Sequence, residues 1–164
     1  MAPGEIESEL ERLHTASFTW ALACCGRNRE EAEDVLQTSY LKVLDGRASF
    51  AGHSSFKTFL FGVIRKTASE ARRRNALRGL FLTDWRRGLG TAPPKEGPED
   101  RLTLLSALAS LPRRQRQVLQ LVFYVGTTVE EAAETLAISV GSARVHYARG
   151  KKSLARLVGV GESS

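Results

Sequence analysis

The chain has 164 residues, ordinary hydrophobic content and a formal net charge of +6, which suits one or two small domains with a true core. No apolar run approaches the roughly 18 residues that span a bilayer. The acidic start MAPGEIESELERL has neither the basic beginning nor the apolar stretch of a secretory signal, so a cytoplasmic protein with no membrane insertion is expected.

In chain order, Glu5 to about Cys25 reads as one helix, because Ile6, Leu10, Leu13, Phe18, Ala21 and Leu22 recur at three- and four-residue steps. Cys24 and Cys25 are adjacent and cannot staple distant segments. They read as two small buried residues, with a thiol or metal sensor involving His14 as the alternative. GRN at Gly26–Asn28 breaks the pattern. Asn28 can cap a helix from about Arg29 to Leu44, with Glu31 three residues on. The pair Asp45–Gly46 ends it. The polar, small-residue stretch RASFAGHSS is a loop, and a third helix runs from about Ser55 to Arg74 with Phe56, Phe59, Leu60, Val63 and Ile64 inward.

Pro93, Pro94, Gly97 and Pro98 give TAPPKEGPED the chemistry of a linker. Leu80, Phe81, Leu82 and Trp85 before it are too apolar for a free tether and are expected to dock on a domain or a partner. Beyond the linker, RLTLLSALASL is a helix stopped by Pro112, and RRQRQVLQLVFYV is another stopped by Gly126. Thr128 with Glu131 forms a capping box for a short helix, and Ser139 caps the last one. No stretch alternates at period two for long. The expected fold is all-α, two small helical domains joined by a flexible linker, the second a helix-turn-helix.

Charge is distributed in blocks. Residues 5–45 carry nine acids and four bases, residues 46–87 ten bases and two acids, residues 88–100 three acids and one base, and residues 101–164 nine bases and four acids. Two basic blocks separated by a short acidic piece fit two contacts on one polyanion, while the acidic first block would face a protein. The hairpin TVEEAAETLAISVGSARVHYARGKKSL has alanines where two helices must cross and a basic second helix. A helix-turn-helix places such a helix in the major groove, where arginine can match the O6/N7 pair of guanine. A helical hairpin with a solvated basic side has the same pattern, so the hairpin alone leaves both readings open. Gly150 in that helix is about 1 kcal/mol worse than alanine on propensity, so fraying or close packing is expected there, and a modest stability gain in Gly150→Ala. His14, His53 and His146 are scattered, and no phosphate loop or metal-ligand spacing occurs. Neither catalysis nor a cofactor or metal is expected. A transcriptional regulator with a helical effector domain, or a helical interaction protein that binds no DNA, are the competing readings.

Two motifs in order separate these. EAEDVLQTSYLKVL with SFAGHSSFKTFLFGVIRKTASEARRR, and then ALASLPRRQRQVLQLVFYVGTTVEEAAETLAISVGSARVHYARGKKSL, resemble a sigma-70-family initiation factor of the extracytoplasmic-function type over roughly residues 8–157. The resemblance implies a region 2-like domain over residues 5–75, a linker over 76–100 and a region 4-like helix-turn-helix domain over 101–158. It implies core RNA polymerase, promoter DNA and an anti-sigma factor as partners. Glu33, Asp34 and Gln37 match the polymerase-binding face, with Thr38 where the family usually has Glu. Phe50, His53 and Ser54 match the loop that takes a flipped −10 base, and Arg65, Lys66, Arg72 and Arg73 the helix that holds the backbone. His53 stands where an acid is common, Ala51 where a base is, Lys66 where Asn is, and Gly62 where Arg is. Phe59 stands for the usual Trp. Ser142, Arg144, Val145, His146, Ala148, Arg149 and Lys151 match the −35-reading helix, with Ala143 where Val or Ile is frequent and Ala137 where Gly is.

Overall fold

The computed structural model describes residues 1–81 and 99–159. Eight α-helices and one π-helical segment make up its regular structure, and no strand occurs among the described residues. The helices are α1 (Pro3–Arg12), α2 (His14–Cys24), α3 (Arg29–Leu44), α4 (Phe56–Phe81), α5 (Glu99–Ser110), α6 (Arg113–Leu119), α7 (Val129–Leu136) and α8 (Val140–Leu157). The π-helical segment, Gln120–Val125, continues α6.

The expected first helix is two. The backbone turns at Leu13, at φ −92° and ψ 1°, although Leu13 N–H still donates to the Glu9 carbonyl and its own carbonyl accepts from Ser17. The two halves bury different surfaces. Helix α1 is amphipathic and buries Leu10, whereas α2 buries the stripe Ser17, Trp20, Ala21 and Cys24 and half-buries Ala16, Phe18, Leu22 and Ala23 on its other sides. A change of axis at the buried Leu13 lets both be satisfied. Trp20 is fully buried, and its indole N–H donates to the Phe61 carbonyl at 3.1 Å, tying α2 to α4.

Helix α3 has the expected bounds, and the Asn28 side chain accepts from Glu31 N–H at 3.1 Å. Helix α4 starts as expected, after Ser55, whose hydroxyl accepts from Thr58 N–H. It runs on to Phe81, seven residues past the expected end at Arg74. Asn75, Ala76, Leu77 and Arg78 include no breaker, and Ala, Leu and Arg are strong helix formers. The expected linker therefore overlaps α4 at one end and α5 at the other. Leu82, Trp85 and the proline-rich TAPPKEGPED up to Pro98 lie outside the described residues.

In the second half Gly126, at φ 82°, ends the π-helical segment, and Thr127 N–H closes it by donating to the Leu121 carbonyl. The expected caps of α7 and α8 are present. Thr128 Oγ1 accepts from Glu131 N–H at 3.0 Å while Glu131 Oε2 accepts from Thr128 N–H. Ser139 Oγ accepts from Ser142 N–H at 3.1 Å. The turn between α7 and α8 holds Ala137 in the left-handed region, at φ 56° and ψ 44°, where a Cβ is unfavourable.

The two helical units share a core. Val118, Leu121, Val125, Ala132 and Leu136 join the cluster formed by Trp20, Leu60, Phe61 and Ile64 of the first unit. A smaller cluster of Leu108, Leu111 and Leu119 holds α5 against α6 and α8. The contact between units is made by α2 and α4 on one side and by α7 and the π-helical segment on the other. It is direct packing, a point on which the sequence pattern is silent.

Candidate nucleic-acid interface

The basic helix α8 is positioned by its small residues. Ala143 is fully buried and Gly150, seven residues on, is buried too, so both lie on the side that meets α6 and α7. A Cβ at Gly150 would stand 3.0 Å from Leu119 Cδ1 and 3.3 Å from Gln115 Cβ. The expected stability gain in Gly150→Ala is therefore corrected: the glycine permits a close helix crossing.

Outward from that contact α8 presents Ser142, Arg144, Val145, Ala148, Arg149 and Lys151 as exposed residues, with His146 half-buried. Ser142 Oγ accepts from Ser139 Oγ at 2.9 Å, so the hydroxyls at the helix start form one pair. Arg144 Nη2 lies 3.1 Å from Glu130 Oε1 on α7. The Glu130 carboxyl is held below the usual carboxylate range, first by its own backbone N–H and then by Arg144. Lys151 Nζ sits over the Tyr147 ring at 5.1 Å, and Tyr147 stacks on Phe123. This aromatic pair carries the outward Lys151 and was not legible in the helical pattern.

In the first unit the loop before α4 rests on aromatic residues. Phe50 is half-buried, edge-on to Phe56 at 5.5 Å and tilted on Phe59 at 5.3 Å. His53 is exposed and Ser54 half-buried, beside Gly52 at φ 79°. Along α4, Lys66, Arg72 and Arg73 are exposed. Arg65 is not directed wholly to solvent: its Nε donates to the Thr135 carbonyl of α7 at 3.0 Å. Burial there, and then the Arg114 charge, disfavour its protonated form. Arg65 thus docks one unit on the other in this arrangement.

Glu33, Asp34 and Gln37 are all exposed on α3, but the structure divides them. Glu33 and Gln37, one turn apart, line a groove of about 330 Å³ with His14, Phe18 and Tyr40. Asp34 and Thr38 line a different cavity, beside Cys25 and Arg72. The groove is built by α2 and α3 together, and α2 supplies the residues that a search for charged side chains overlooks. His14 is occupied with Tyr40, its Nδ1 lying 3.0 Å from the phenol oxygen.

The cysteines are free thiols. Burial raises Cys24 far above the ordinary thiol range, and burial with Glu31 nearby pushes Cys25 up to about 11. A sensor needs an accessible thiolate, which neither offers at neutral pH. Among the described residues no group of three or more His, Cys, Asp or Glu side chains could hold a metal ion. No helix among them is long and apolar enough to cross a membrane.

Comparison with known proteins decides the family. A family model of sigma-70 region 2 matches residues 10–78, and one of sigma-70 region 4 matches residues 101–154. The chain belongs to the sigma-70 family of RNA polymerase sigma factors. Its relatives place it in the extracytoplasmic-function (ECF) type. It is 30% identical over 153 residues to RNA polymerase sigma factor CarQ of Myxococcus xanthus, covering 92% of this chain and 88% of that one. It is 35% identical over 126 residues to ECF RNA polymerase sigma factor SigF of Caulobacter vibrioides, covering 76% and 69%. Among solved structures, the sigma factor RpoE from Bartonella quintana, in complex with the anti-sigma factor NepR, has a similar fold. The TM-score is 0.73 at 24% identity, covering 96% of this sigma factor and 99% of that chain. As a sigma factor the protein is a transcription initiation factor of a family that is not catalytic.

Proposed function

We propose that this sigma factor reads the −35 promoter element with α8 and the −10 element with the Phe50–Ser54 loop and α4, while α3 docks on core RNA polymerase in the cytoplasm. The observation that carries the reading is the two-sided construction of α8. Its small residues Ala143 and Gly150 are buried against the unit, and Arg144, Val145, Ala148, Arg149 and Lys151 stand on exposed surface. Arginines near the middle of such a helix can meet base edges, and Lys151 beyond them a phosphate. In the first unit, residues 5–75 in this reading, Phe50 supplies an aromatic wall that offsets the lost stacking of a flipped base. His53 and Ser54 lie beside it, and Lys66, Arg72 and Arg73 are exposed to hold the strand backbone. Residues 101–158 form the second reading domain, with 76–100 between the two.

Arg65 belongs to the same set, but its guanidinium must leave the Thr135 carbonyl to serve DNA fully. Arg144 must likewise leave Glu130. Through Arg65, promoter engagement is coupled to parting of α4 from α7. Glu33 and Gln37, with the adjoining groove, are the polymerase contact, and Asp34 joins it from the neighbouring cavity on the same helix. An anti-sigma factor is a fitting further partner, since the similar folds include sigma factors solved with NepR and with the cytosolic domain of CnrY.

Run-off transcription with core polymerase on a promoter pool tests the reading. Arg149→Ala should lower use of promoters with a −35 element by about tenfold, as expected for a bidentate base contact, with core binding unchanged. An equal loss of core binding would assign α8 a structural role instead.

A further inference from the structure

The units enclose a cleft to which, Arg72 apart, the preceding roles assign nothing. It has a volume of about 370 Å³, within the range of small-molecule sites. Its walls carry Arg27 and Arg72 from the first unit and Arg113 and Arg116 from the second. Glu31 is the carboxylate among the described lining residues. None of these four guanidiniums lies within ion-pair distance of a carboxylate among the described residues. Arg116 Nη1 donates to the Ala109 carbonyl at 3.2 Å, and around Arg113 burial, and then the charges of Arg72, Arg114 and Arg116, disfavour the charged form. Like charges gathered across a contact oppose it unless an anion sits between them.

A second feature narrows the anion. Gln120 lines the same cleft at 7% exposure, and its Oε1 is buried without a hydrogen-bond partner. A buried amide oxygen needs a donor, and the last torsion of glutamine is broad enough to turn it toward one. Guanidinium forks suit carboxylate, sulfate and phosphate alike. Phosphate alone of these also carries a hydroxyl near neutral pH, and so can donate to Gln120 while accepting from arginine.

The geometry points to a binding site for inorganic phosphate in the cleft between the two units, held by Arg72, Arg113 and Arg116 with Gln120 accepting its P–OH. Because the arginines come from both units, occupancy stabilises the docked arrangement in which Arg65 is bonded to Thr135 and Arg72 faces the ligand. A ligand that binds one arrangement and not the other shifts the balance by its own affinity. The anion is then an effector that opposes promoter engagement. The site stands on the cleft alone, while this consequence rests on the reading of Arg65 and Arg72 as −10 contacts.

The test titrates the full chain with inorganic phosphate, and in parallel with sulfate at matched ionic strength, followed by calorimetry and by amide chemical shifts of Gln117 and Gln120. Saturable 1:1 binding of phosphate is expected, about tenfold tighter than that of sulfate, the equivalent of one good hydrogen bond. Arg113→Gln with Arg116→Gln should weaken both anions at least tenfold, and Arg72→Gln, on the other unit, should weaken them independently. Gln120→Leu should abolish the preference for phosphate over sulfate while sulfate still binds. Non-saturable effects unchanged by the arginine variants would overturn the site, as would a preference that survives Gln120→Leu. Saturable binding that leaves open-complex formation by the holoenzyme unaffected would keep the site and remove its regulatory consequence. Failure of the Arg149→Ala promoter assay bears on neither binding result.

Discussion

Replacing Gly150 by alanine sets two effects of similar size against each other. Alanine in place of a helical glycine gains about 1 kcal/mol of backbone propensity. The new methyl, however, lands 3.0 Å from Leu119 Cδ1 and 3.3 Å from Gln115 Cβ. Leu119 is 1% exposed and packed among Leu108 and Leu111, so it has little room to withdraw, and Gln115 Cβ moves only with its backbone. Overpacking of this kind costs about 1–3 kcal/mol. The expected net effect is a destabilisation of roughly 1 kcal/mol, or about 2–4 °C in Tm for a chain of this size. Urea and thermal unfolding of the variant measure it. In Leu119→Ala, which removes the tighter contact and leaves only Gln115 Cβ at 3.3 Å, the same Gly150→Ala change should lose most of its cost, because the propensity gain is then opposed by one contact alone. A raised Tm for Gly150→Ala in the otherwise unchanged chain would refute the close crossing of α8 on α6.

Ala137→Gly should stabilise the chain by about 1 kcal/mol, since the left-handed backbone at φ 56° carries a Cβ penalty that glycine lacks; denaturant midpoints check it, and a loss of stability would show that the methyl has a packing role. Lys42 Nζ lies 2.7 Å from Glu70 Oε2, and that hydrogen bond lowers the Glu70 pKa. The sign follows from linkage: the stabilisation is present above the ordinary glutamate pKa and lost as pH falls through the depressed folded value. Carboxyl NMR titration should therefore find Glu70 low in the native chain and raised in Lys42→Met, where only the weaker charges of Arg74 and Arg73 still lower it, whereas a Glu70 unmoved by the substitution would discount the pair. Cys25, with its pKa pushed up to about 11 by burial, should react with a neutral thiol reagent at pH 8 far more slowly than a free cysteine, and the buried Cys24 more slowly still; fast labelling in the folded state would restore the sensor reading.

The elements whose ends are set by local chemistry were legible in the chain. Asn28, Thr128 and Ser139 each accept from the third residue on, as their spacing predicts, and Gly126 stops its helix at positive φ. Such caps act over one turn and need no distant partner. Leu13 and Gly150 were not legible in this way. The break at Leu13 answers the burial of α2 from several sides, and the value of Gly150 depends on Leu119 and Gln115 on another helix. Propensity sees neither. The π-helical form of Gln120–Val125 also escaped the pattern, because its apolar residues fit an ordinary helix equally well.

The sequence by itself determined the all-α composition, the caps, the basic face of α8 and the two motifs that mark a sigma factor, because each rests on residues close in the chain. Only the tertiary structure decided that Arg65 is spent on the Thr135 carbonyl, that Glu33 and Gln37 share a groove while Asp34 does not, and that four arginines from three segments line one cleft. Those facts arise where side chains distant in sequence meet, and the packing of one unit on the other sets which of them do.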